Sequence, residues 1–440
     1  MSFNNSLNRP GKPIANRFSV KTKFNITMLL TALLTLFSIN AVAETSNVGH
    51  QIGLSEAIQV TLDNHPEMAR YRYQKQKFDA LTKQAGVSQK PQLDVTIEDA
   101  FGSGDYSGFD AAQTTIGISW ILDGDLVDSR IKASREASSQ LSFEREIKAL
   151  DLSSDTAKTF VEHIALQEQI KLARLNLQQT QEAYESIVSL NKRGKGSTID
   201  TIQMKANVAR SELMIEDLEH ELKATQRRFM NNLGEEAKLM TPKGNLFSIP
   251  AIDNLNESMA KLKEHPRLLA FANKSRVLES QIELARIEAE PRWEFSTGLR
   301  RYERTSDVGI VAGFSVPLGS SGSNAGKIQS LRAERSIYEV ESEVLRRELY
   351  TQLYVLLQEI EHSKHVINVN QQQIIPLLKE AKEEVNKAYQ IGRTSYLQWF
   401  NIHQDYLVAH LELINAYKML HLKNIELQRL TGTTLETIEN

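Results

Sequence analysis

The chain of 440 residues repeats itself at an offset of about 200 residues. The clearest echo is Asn64-His65-Pro66 against Glu264-His265-Pro266. Further matched positions follow in the same order along both halves: Pro91 and Pro291, Gly194 and Gly392, and Gly234 and Gly432. Such a repeat indicates one supersecondary unit used twice. The sequence therefore predicts a first unit over residues 44–245 and a second over residues 246–440, with residues 241–250 as the loop between them.

Each unit contains two segments in which apolar and polar residues alternate. In the first segment, Leu93, Val95 and Ile97 alternate with Asp94 and Thr96. A period of two is typical of strands with one apolar face. The pattern predicts two hairpins of strands that are long enough to cross a bilayer at a tilt, at about 92–101, 113–122, 292–303 and 307–317.

Proline and glycine almost vanish after each hairpin, over residues 125–191 and 325–390. Apolar residues in these segments keep 3/4 spacing, which predicts long helices paired as coiled coils, roughly 100 Å in length at 1.5 Å per residue. Pro376 is the exception, and we expect it to remove one helical hydrogen bond and bend its helix. Shorter helices, predicted at 67–90, 199–232, 266–290 and 394–431, would stack end to end in pairs along the long ones.

The first 43 residues have the pattern of a secretory signal peptide. Five basic side chains and no acidic one precede an apolar run over residues 26–37, and Ala41-Val42-Ala43 follows. The run is too short for a membrane anchor, which needs about 20 residues. No comparable apolar stretch occurs later, so we expect any membrane insertion to use the strands.

Composition excludes several functional classes. The chain has no Cys, which excludes disulfides, thiolate metal ligands and thiol nucleophiles. Without residues 1–43, the chain has 47 basic and 55 acidic side chains, and this balance argues against a nucleic-acid partner.

His362 and His365 lack a third ligand at a clear spacing, so a solvated helix face is expected there. His65 and His265 each precede proline, which favours a turn or capping role. No catalytic residue, metal site or cofactor is predicted.

Four strands cannot close into a barrel, and an open sheet edge cannot face lipid. Membrane barrels have at least eight strands, so two, three or four chains would supply 8, 12 or 16 strands. Only the larger rings leave space for an interior channel. The strand count therefore predicts an oligomer without fixing its size.

Residues 50–434 resemble the TolC-like outer-membrane efflux family, and residues 102–119 resemble its CzcC-like branch, which serves heavy-metal exporters of the resistance-nodulation-division class. The resemblance implies a mainly α-helical homotrimer with a small β part. It would have a 12-stranded barrel in the lipid of the outer membrane and a periplasmic tunnel of antiparallel coiled coils. Its partners would be a periplasmic adaptor and an inner-membrane pump. The expected function is export of heavy-metal cations without catalysis. Multidrug efflux, a type I secretion duct and a periplasmic coiled-coil scaffold are the alternatives.

The resemblance also assigns roles at the two glycine turns, where the family's tunnel closes. Asp200 and Tyr389 match a pair that tethers neighbouring coiled coils, and Arg393 lies one place from a basic tether. Gln398 and Asn401 stand where some members carry carboxylate rings, so a charge filter there is in doubt. The alternative is that Asp200 is a solvated carboxylate that stabilises the start of its helix through the helix dipole, and that Tyr389 is a packing residue. The adaptor would contact the tips at Gly194, Gly196, Ser197, Gly392, Thr394 and Ser395.

Overall fold

The computed structural model describes residues 50–194, 196–234, 240–319, 322 and 324–433. The predicted signal peptide over residues 1–43 lies outside the described residues. The described chain is mainly helical with a small β part, which confirms the predicted fold class. In the first half the elements are β1 (His50–Ile52), α1 (Leu54–Asn64), α2 (Pro66–Ala85), β2 (Gln92–Glu98), β3 (Gln113–Ile121), α3 (Gly124–Lys192) and α4 (Thr198–Leu233).

The second half repeats this order. Its elements are β4 (Met240–Pro242), α5 (Leu255–Leu262), α6 (Pro266–Glu288), β5 (Glu294–Tyr302), β6 (Asp307–Ser315), α7 (Ala325–Val369), a π-helical segment (Asn370–Ile374), α8 (Ile375–Gln390) and α9 (Tyr396–Thr431). Each of the four hairpin strands ends earlier than predicted. No helix in the described ranges has a stretch both long and apolar enough to cross a membrane. The boundary between the units at residue 245 stays a prediction.

The long helices form where proline and glycine are missing. The 69 residues of α3 span the predicted segment almost unchanged. Both α2 and α4 pack on α3, and both α6 and α9 pack on α7, which confirms that paired shorter helices accompany each long one. Near Pro376 the regular hydrogen-bonding pattern changes, since a π-helical segment ends two residues before it, and the predicted bend stays a prediction. There the N–H of Ile375 bonds to the carbonyl of Asn370, because the helix widens where proline supplies no donor.

Two details of the prediction are wrong. Helix α2 ends at Ala85 instead of residue 90, because Gly86 follows and glycine is an unfavourable helix residue. The predicted loop over residues 241–250 begins inside a strand, since β4 pairs with β1 in a parallel two-stranded sheet. This pairing joins segments about 190 residues apart, and neither is long enough to show an alternating pattern.

The two repeats share one hydrophobic cluster and one sheet. The cluster buries Phe160 and Phe229 from the first half together with Leu353 and Leu420 from the second. The sheet has the strand order β2-β3-β5-β6 and is antiparallel throughout, so β3 of the first half pairs directly with β5 of the second. Neither repeat therefore completes its core or its sheet alone.

Both histidines before proline cap helices, as predicted. His65 Nδ1 accepts a hydrogen bond from the Glu67 N–H at 3.2 Å, and His265 Nδ1 accepts one from the Arg267 N–H at 3.1 Å. A histidine nitrogen can accept only when it is unprotonated. Burial, followed by the nearby Arg267 cation, lowers the pKa of His265 to about 4, which keeps this cap intact at neutral pH.

An ion-pair network joins α3 of the first half to α9 of the second. Lys158 Nζ lies 2.7 Å from Glu426 Oε2, and Arg429 Nη1 lies 3.0 Å from Asp151 Oδ1. Arg429 also donates to Glu426. Burial alone would raise the pKa of Glu426, but hydrogen bonds from Arg429 and Lys158 outweigh burial and lower this pKa to about 2.

This network should make folding acid-sensitive. Because the folded pKa of Glu426 lies below the ordinary value of 4.5, its contribution is present above pH 4.5 and is lost as pH falls toward 2. After allowance for solvent screening, we expect the free energy of unfolding to fall by about 1–2 kcal/mol over this window. Denaturant titrations at a series of pH values would measure the loss. Glu426→Gln should remove it, and Glu361→Gln, on an exposed helix face, should not. An unchanged acid slope in Glu426→Gln would contradict the assignment.

Candidate functional site

One face of the four-stranded sheet is apolar and exposed. Val95, Ile310 and Phe314 on this face have exposed fractions of 60%, 80% and 71%. The register places the following side chains on the same face: Leu93, Ile97, Ile116, Ile118, Trp120, Phe295 and Leu299. A continuous apolar surface of this kind marks contact with lipid or with another protein.

The opposite face of the sheet is polar and concave. A groove on this face is lined by side chains from all four strands. Gly117 and Gly298 are cross-strand neighbours there, and a Cβ at Gly298 would lie 2.7 Å from the carbonyl oxygen of Ile116. Glycine in a strand allows such close backbone approach and marks a bend. The sheet therefore curves toward its polar face.

Carboxylates dominate the charge of the polar face. Arg300 donates to Glu98 Oε2 at 2.6 Å and to Thr115 Oγ1 at 2.9 Å, so its charge is paired with Glu98. Asp94 accepts a hydrogen bond from Ser119 Oγ at 2.8 Å. Among the described residues, Asp94, Glu294 and Asp307 on this face form no ion pair. The concave side of the sheet consequently carries a net negative charge.

The predicted tip residues lie at the far ends of the long helices from the sheet. Gly194 and Gly392 follow α3 and α8 with φ of 72° each, a conformation that suits glycine. Ser197 Oγ accepts a hydrogen bond from the Ile199 N–H at 3.1 Å, so this serine caps α4. The equivalent cap of α9 is Ser395, whose Oγ accepts from the Gln398 N–H at 3.3 Å.

Two further tip residues complete these turns. A Cβ at Gly196 would lie 2.8 Å from the Asn191 nitrogen, so no side chain fits at that position. Thr394 Oγ1 donates to Gln398 Oε1 at 2.8 Å. The two turns thus bring every predicted adaptor-contacting residue to the same end of the helical bundle.

The structure brings some of the predicted gate residues together. Asp200 and Tyr389 are both half-buried, and burial, followed by the Asp200 carboxylate, raises the pKa of Tyr389. Within the described residues, no hydrogen bond joins these two side chains. Arg393, Gln398 and Asn401 are exposed on the second turn and the start of α9. Asp200 and Tyr389 therefore lie near each other, and the carboxylate helps to keep the tyrosine hydroxyl protonated, while the other three side chains are exposed in a single chain.

Sequence reasoning missed the buried contact beside this pair. Tyr396 is only 5% exposed, its hydroxyl accepts from Asn207 Nδ2 at 2.8 Å, and it lies 3.5 Å from Met204 Sδ. Trp399 stacks on the Tyr396 ring, with the centroids 6.2 Å apart. This cluster ties α9 to α4. Asn207 and Tyr396 are 189 residues apart, and the sequence pattern of a helix does not indicate which distant residue a polar side chain will contact.

Loss of the Tyr396 hydroxyl should loosen this end of the bundle. Tyr396→Phe leaves a buried Asn207 amide donor without its acceptor, which costs about 1–3 kcal/mol. We expect hydrogen exchange at the start of α4 to speed up by roughly tenfold or more, because 1.4 kcal/mol corresponds to tenfold. The control is Tyr350→Phe, whose ring is exposed on α7. Equal exchange in the two variants would show that the buried hydrogen bond contributes nothing.

Both the sequence and the fold are similar to those of known proteins. A family model described as outer membrane efflux protein matches residues 57–235. A search of curated proteins found no match. The fold is similar to a crystal structure of CusC, described for its transmembrane channel formation, with a TM-score of 0.70, 15% identity, and coverage of 87% of this chain and 92% of CusC.

Two further outer-membrane proteins have the same fold. VceC of Vibrio cholerae matches with a TM-score of 0.69 and 15% identity, over 87% of this chain and 97% of VceC. CmeC of Campylobacter jejuni matches with a TM-score of 0.68 and 13% identity, over 88% of this chain and 87% of CmeC.

The described chain thus has the fold of these outer-membrane proteins, with the two-faced sheet at one end and the paired helix tips at the other. Within residues 57–235 the chain is similar to the outer membrane efflux protein family.

Proposed function

We propose that three copies of the chain join into a 12-stranded barrel in the outer membrane that continues into a periplasmic helical tunnel. The duct would receive cargo from an inner-membrane pump of the resistance-nodulation-division class through a periplasmic adaptor. Its cargo would be heavy-metal cations. The chain itself performs no chemistry, and the pump supplies the driving energy.

The opposed faces of the curved sheet are the observation that carries this proposal. The apolar side bends outward and the polar side bends inward, as a membrane barrel around an aqueous interior requires. In the described chain, the outer edges of β2 and β6 have no strand partner. In hydrocarbon these edges need partners, and neighbouring copies can supply them in a closed ring.

The charge of the concave face supports a cationic cargo. Carboxylates that line a pore attract cations and raise their local concentration. Asp94, Glu294 and Asp307 would repeat in every copy around the interior. The CzcC-like sequence over residues 102–119 supports the same cargo class. Drugs or secreted proteins are the competing cargos.

The two glycine turns would serve as gate and docking site. We infer that Asp200 and Tyr389 hold the tunnel closed near Arg393, Gln398 and Asn401. The adaptor would open it by engaging Gly194, Gly196, Ser197, Gly392, Thr394 and Ser395. The nearness of the Asp200 carboxylate to Tyr389, which keeps the tyrosine hydroxyl protonated and able to donate, supports this assignment. Polar contacts worth about 0.5–3 kcal/mol each are weak enough for adaptor binding to outweigh them.

The gate assignment predicts leakier channels when the pair is broken. Asp200→Ala with Tyr389→Phe should raise single-channel conductance in planar bilayers and increase sensitivity to antibiotics. The control is Asp405→Asn with Tyr350→Phe, both exposed away from the pair. If conductance and antibiotic sensitivity stay at the levels of the unmodified protein, the gate lies elsewhere.

Growth tests would decide the cargo. A deletion strain should lose resistance to one or more of zinc, cobalt, cadmium and copper, and the intact gene should restore it. A panel of drugs tested in parallel separates the cargos. Sensitivity to drugs alone would reject the metal assignment while leaving the duct in place.

A further inference from the structure

Helix α9 carries histidines where a coiled-coil seam normally carries leucine. Its buried side chains keep 3/4 spacing from the tip to the central cluster. In the half that joins the cluster they include Leu413, Leu420 and Leu427. The same register nearer the tip places His403 and His410 on the inward side of the helix, where both are half-buried. A polar residue at a seam position lowers the stability of a coiled coil, so the surroundings of these two histidines indicate what role they have.

His403 lies in an enclosed aromatic environment. Its ring centroid lies 4.0 Å from that of Trp399. Asn386 Oδ1 accepts from Trp399 Nε1 at 2.7 Å and lies 3.0 Å from His403 Nε2. Because the indole N–H can only donate, the Asn386 atom is an acceptor, and the neutral histidine must donate from Nε2. Burial, followed by the Lys382 cation, lowers the pKa of His403 to about 4.

Lys382 of α8 lies close to both histidines. Its ammonium donates to Gln179 Oε1 at 2.8 Å and lies 4.5 Å from the ring centroid of Tyr406. The Tyr406 ring also meets His410, with centroids 4.6 Å apart. In the described chain, His410 Nε2 is buried without a hydrogen-bond partner. Burial lowers the pKa of Lys382, and burial followed by Lys382 lowers the pKa of His410.

No carboxylate compensates these cations among the described residues. Helix α8 contributes Lys382, and α3 contributes uncharged Gln179. On α9 the titratable neighbours are Tyr406 and His410. Asp200 on α4 acts on the tyrosines at 389 and 396. The acidic residues closest in sequence, Glu383 and Glu384 on α8 and Asp405 on α9, are exposed. An added proton on His403 would therefore meet an ammonium group and aromatic rings, with no anion to stabilise it.

We propose that this end of the bundle is an acid-sensitive element, in which protonation of His403 adds a second cation beside Lys382 and loosens the packing of α9 against α8 and α3. The sign follows from the neutral state of the folded histidine. Packing is complete above the ordinary histidine pKa of 6.5, and it is lost as pH falls from there toward about 4. The element lies next to the Asp200–Tyr389 pair, so acid would act on the proposed gate.

Trp399 provides a direct reporter because the chain has only three tryptophans. Trp120→Phe with Trp293→Phe removes the other two, both of which lie at the sheet. In the purified full-length protein we expect acrylamide quenching of Trp399 to rise by about twofold or more as pH falls from neutral to about 4. His403→Gln keeps a donor toward Asn386 and should abolish this change. Lys382→Met should move the midpoint to higher pH, because the opposing cation is gone.

Matched controls keep the test independent of channel function. His362→Gln, on an exposed face of α7, should leave the Trp399 titration unchanged. Circular dichroism should show the helices intact at the acidic end of the titration. Constant quenching across the pH range, an identical titration in His403→Gln, or a loss of helix in step with quenching would each overturn the inference. None of these outcomes bears on whether the protein conducts ions.

Discussion

Arginine at position 310 is expected to keep the protein out of the outer membrane. Ile310 lies near the centre of β6 on the apolar face and is 80% exposed in a single chain. An arginine facing lipid near the bilayer midplane costs about 2–4 kcal/mol per copy. A ring of several copies multiplies this cost. We expect cell fractionation to find little Ile310→Arg protein in outer-membrane extracts.

The neighbouring residue provides the control. Val311 points to the concave polar face, where its cross-strand neighbour is Gly298 and leaves space. Val311→Arg introduces the same charge one residue away and should insert normally. Equal insertion of the two variants would show that the apolar face does not contact lipid while the polar face contacts water. Equal loss would show that strand β6 tolerates no arginine for reasons of folding.

Removal of carboxylates from the concave face should reduce the cation preference of the pore. Asp94→Asn with Glu294→Gln deletes two unpaired charges per chain without changing side-chain size. We expect the permeability ratio of potassium to chloride to fall by about threefold or more, because these charges set the potential inside the barrel. Reversal potentials across a salt gradient measure this ratio. Dilute salt is needed, since the Debye length is about 10 Å at 0.1 M.

A change of opposite sign tests the same face. Arg300 is the cation on the concave side and pairs with Glu98. Arg300→Gln frees that carboxylate and should increase the cation preference. If both variants keep the potassium-to-chloride permeability ratio of the unmodified protein, the charge of the concave face does not select ions. That result would leave the proposed channel itself unaffected. If both variants lower the ratio, Arg300 acts through the shape of the sheet.

Much of the helical architecture could be predicted because its signal is local. The absence of proline and glycine over nearly 70 residues predicted α3 almost to the residue, and Pro376 marked the π-helical segment. Period-two alternation located the four sheet strands. These features depend on neighbours in the sequence, so a single chain displays them. The inward curvature could not be predicted, because it depends on glycines that meet across strands, such as Gly117 and Gly298.

The tip was only partly predictable for the same reason. The resemblance to known channels pointed to Asp200 and Tyr389, and the structure brings them near each other. The contact of Asn207 with Tyr396 joins helices from different repeats, and no local pattern records it. The sequence pattern assigned His403 no role, yet it packs against Trp399 and Asn386 and is half-buried there. Long-range packing therefore decides which polar residues near the turns are enclosed.

The central claim is that one chain supplies only part of a closed wall. Native mass spectrometry of the protein extracted from outer membranes in detergent tests this claim most directly. We expect a complex with three times the mass of a single chain. A stable single chain in outer-membrane extracts, or one found only in the periplasmic fraction, would contradict the account.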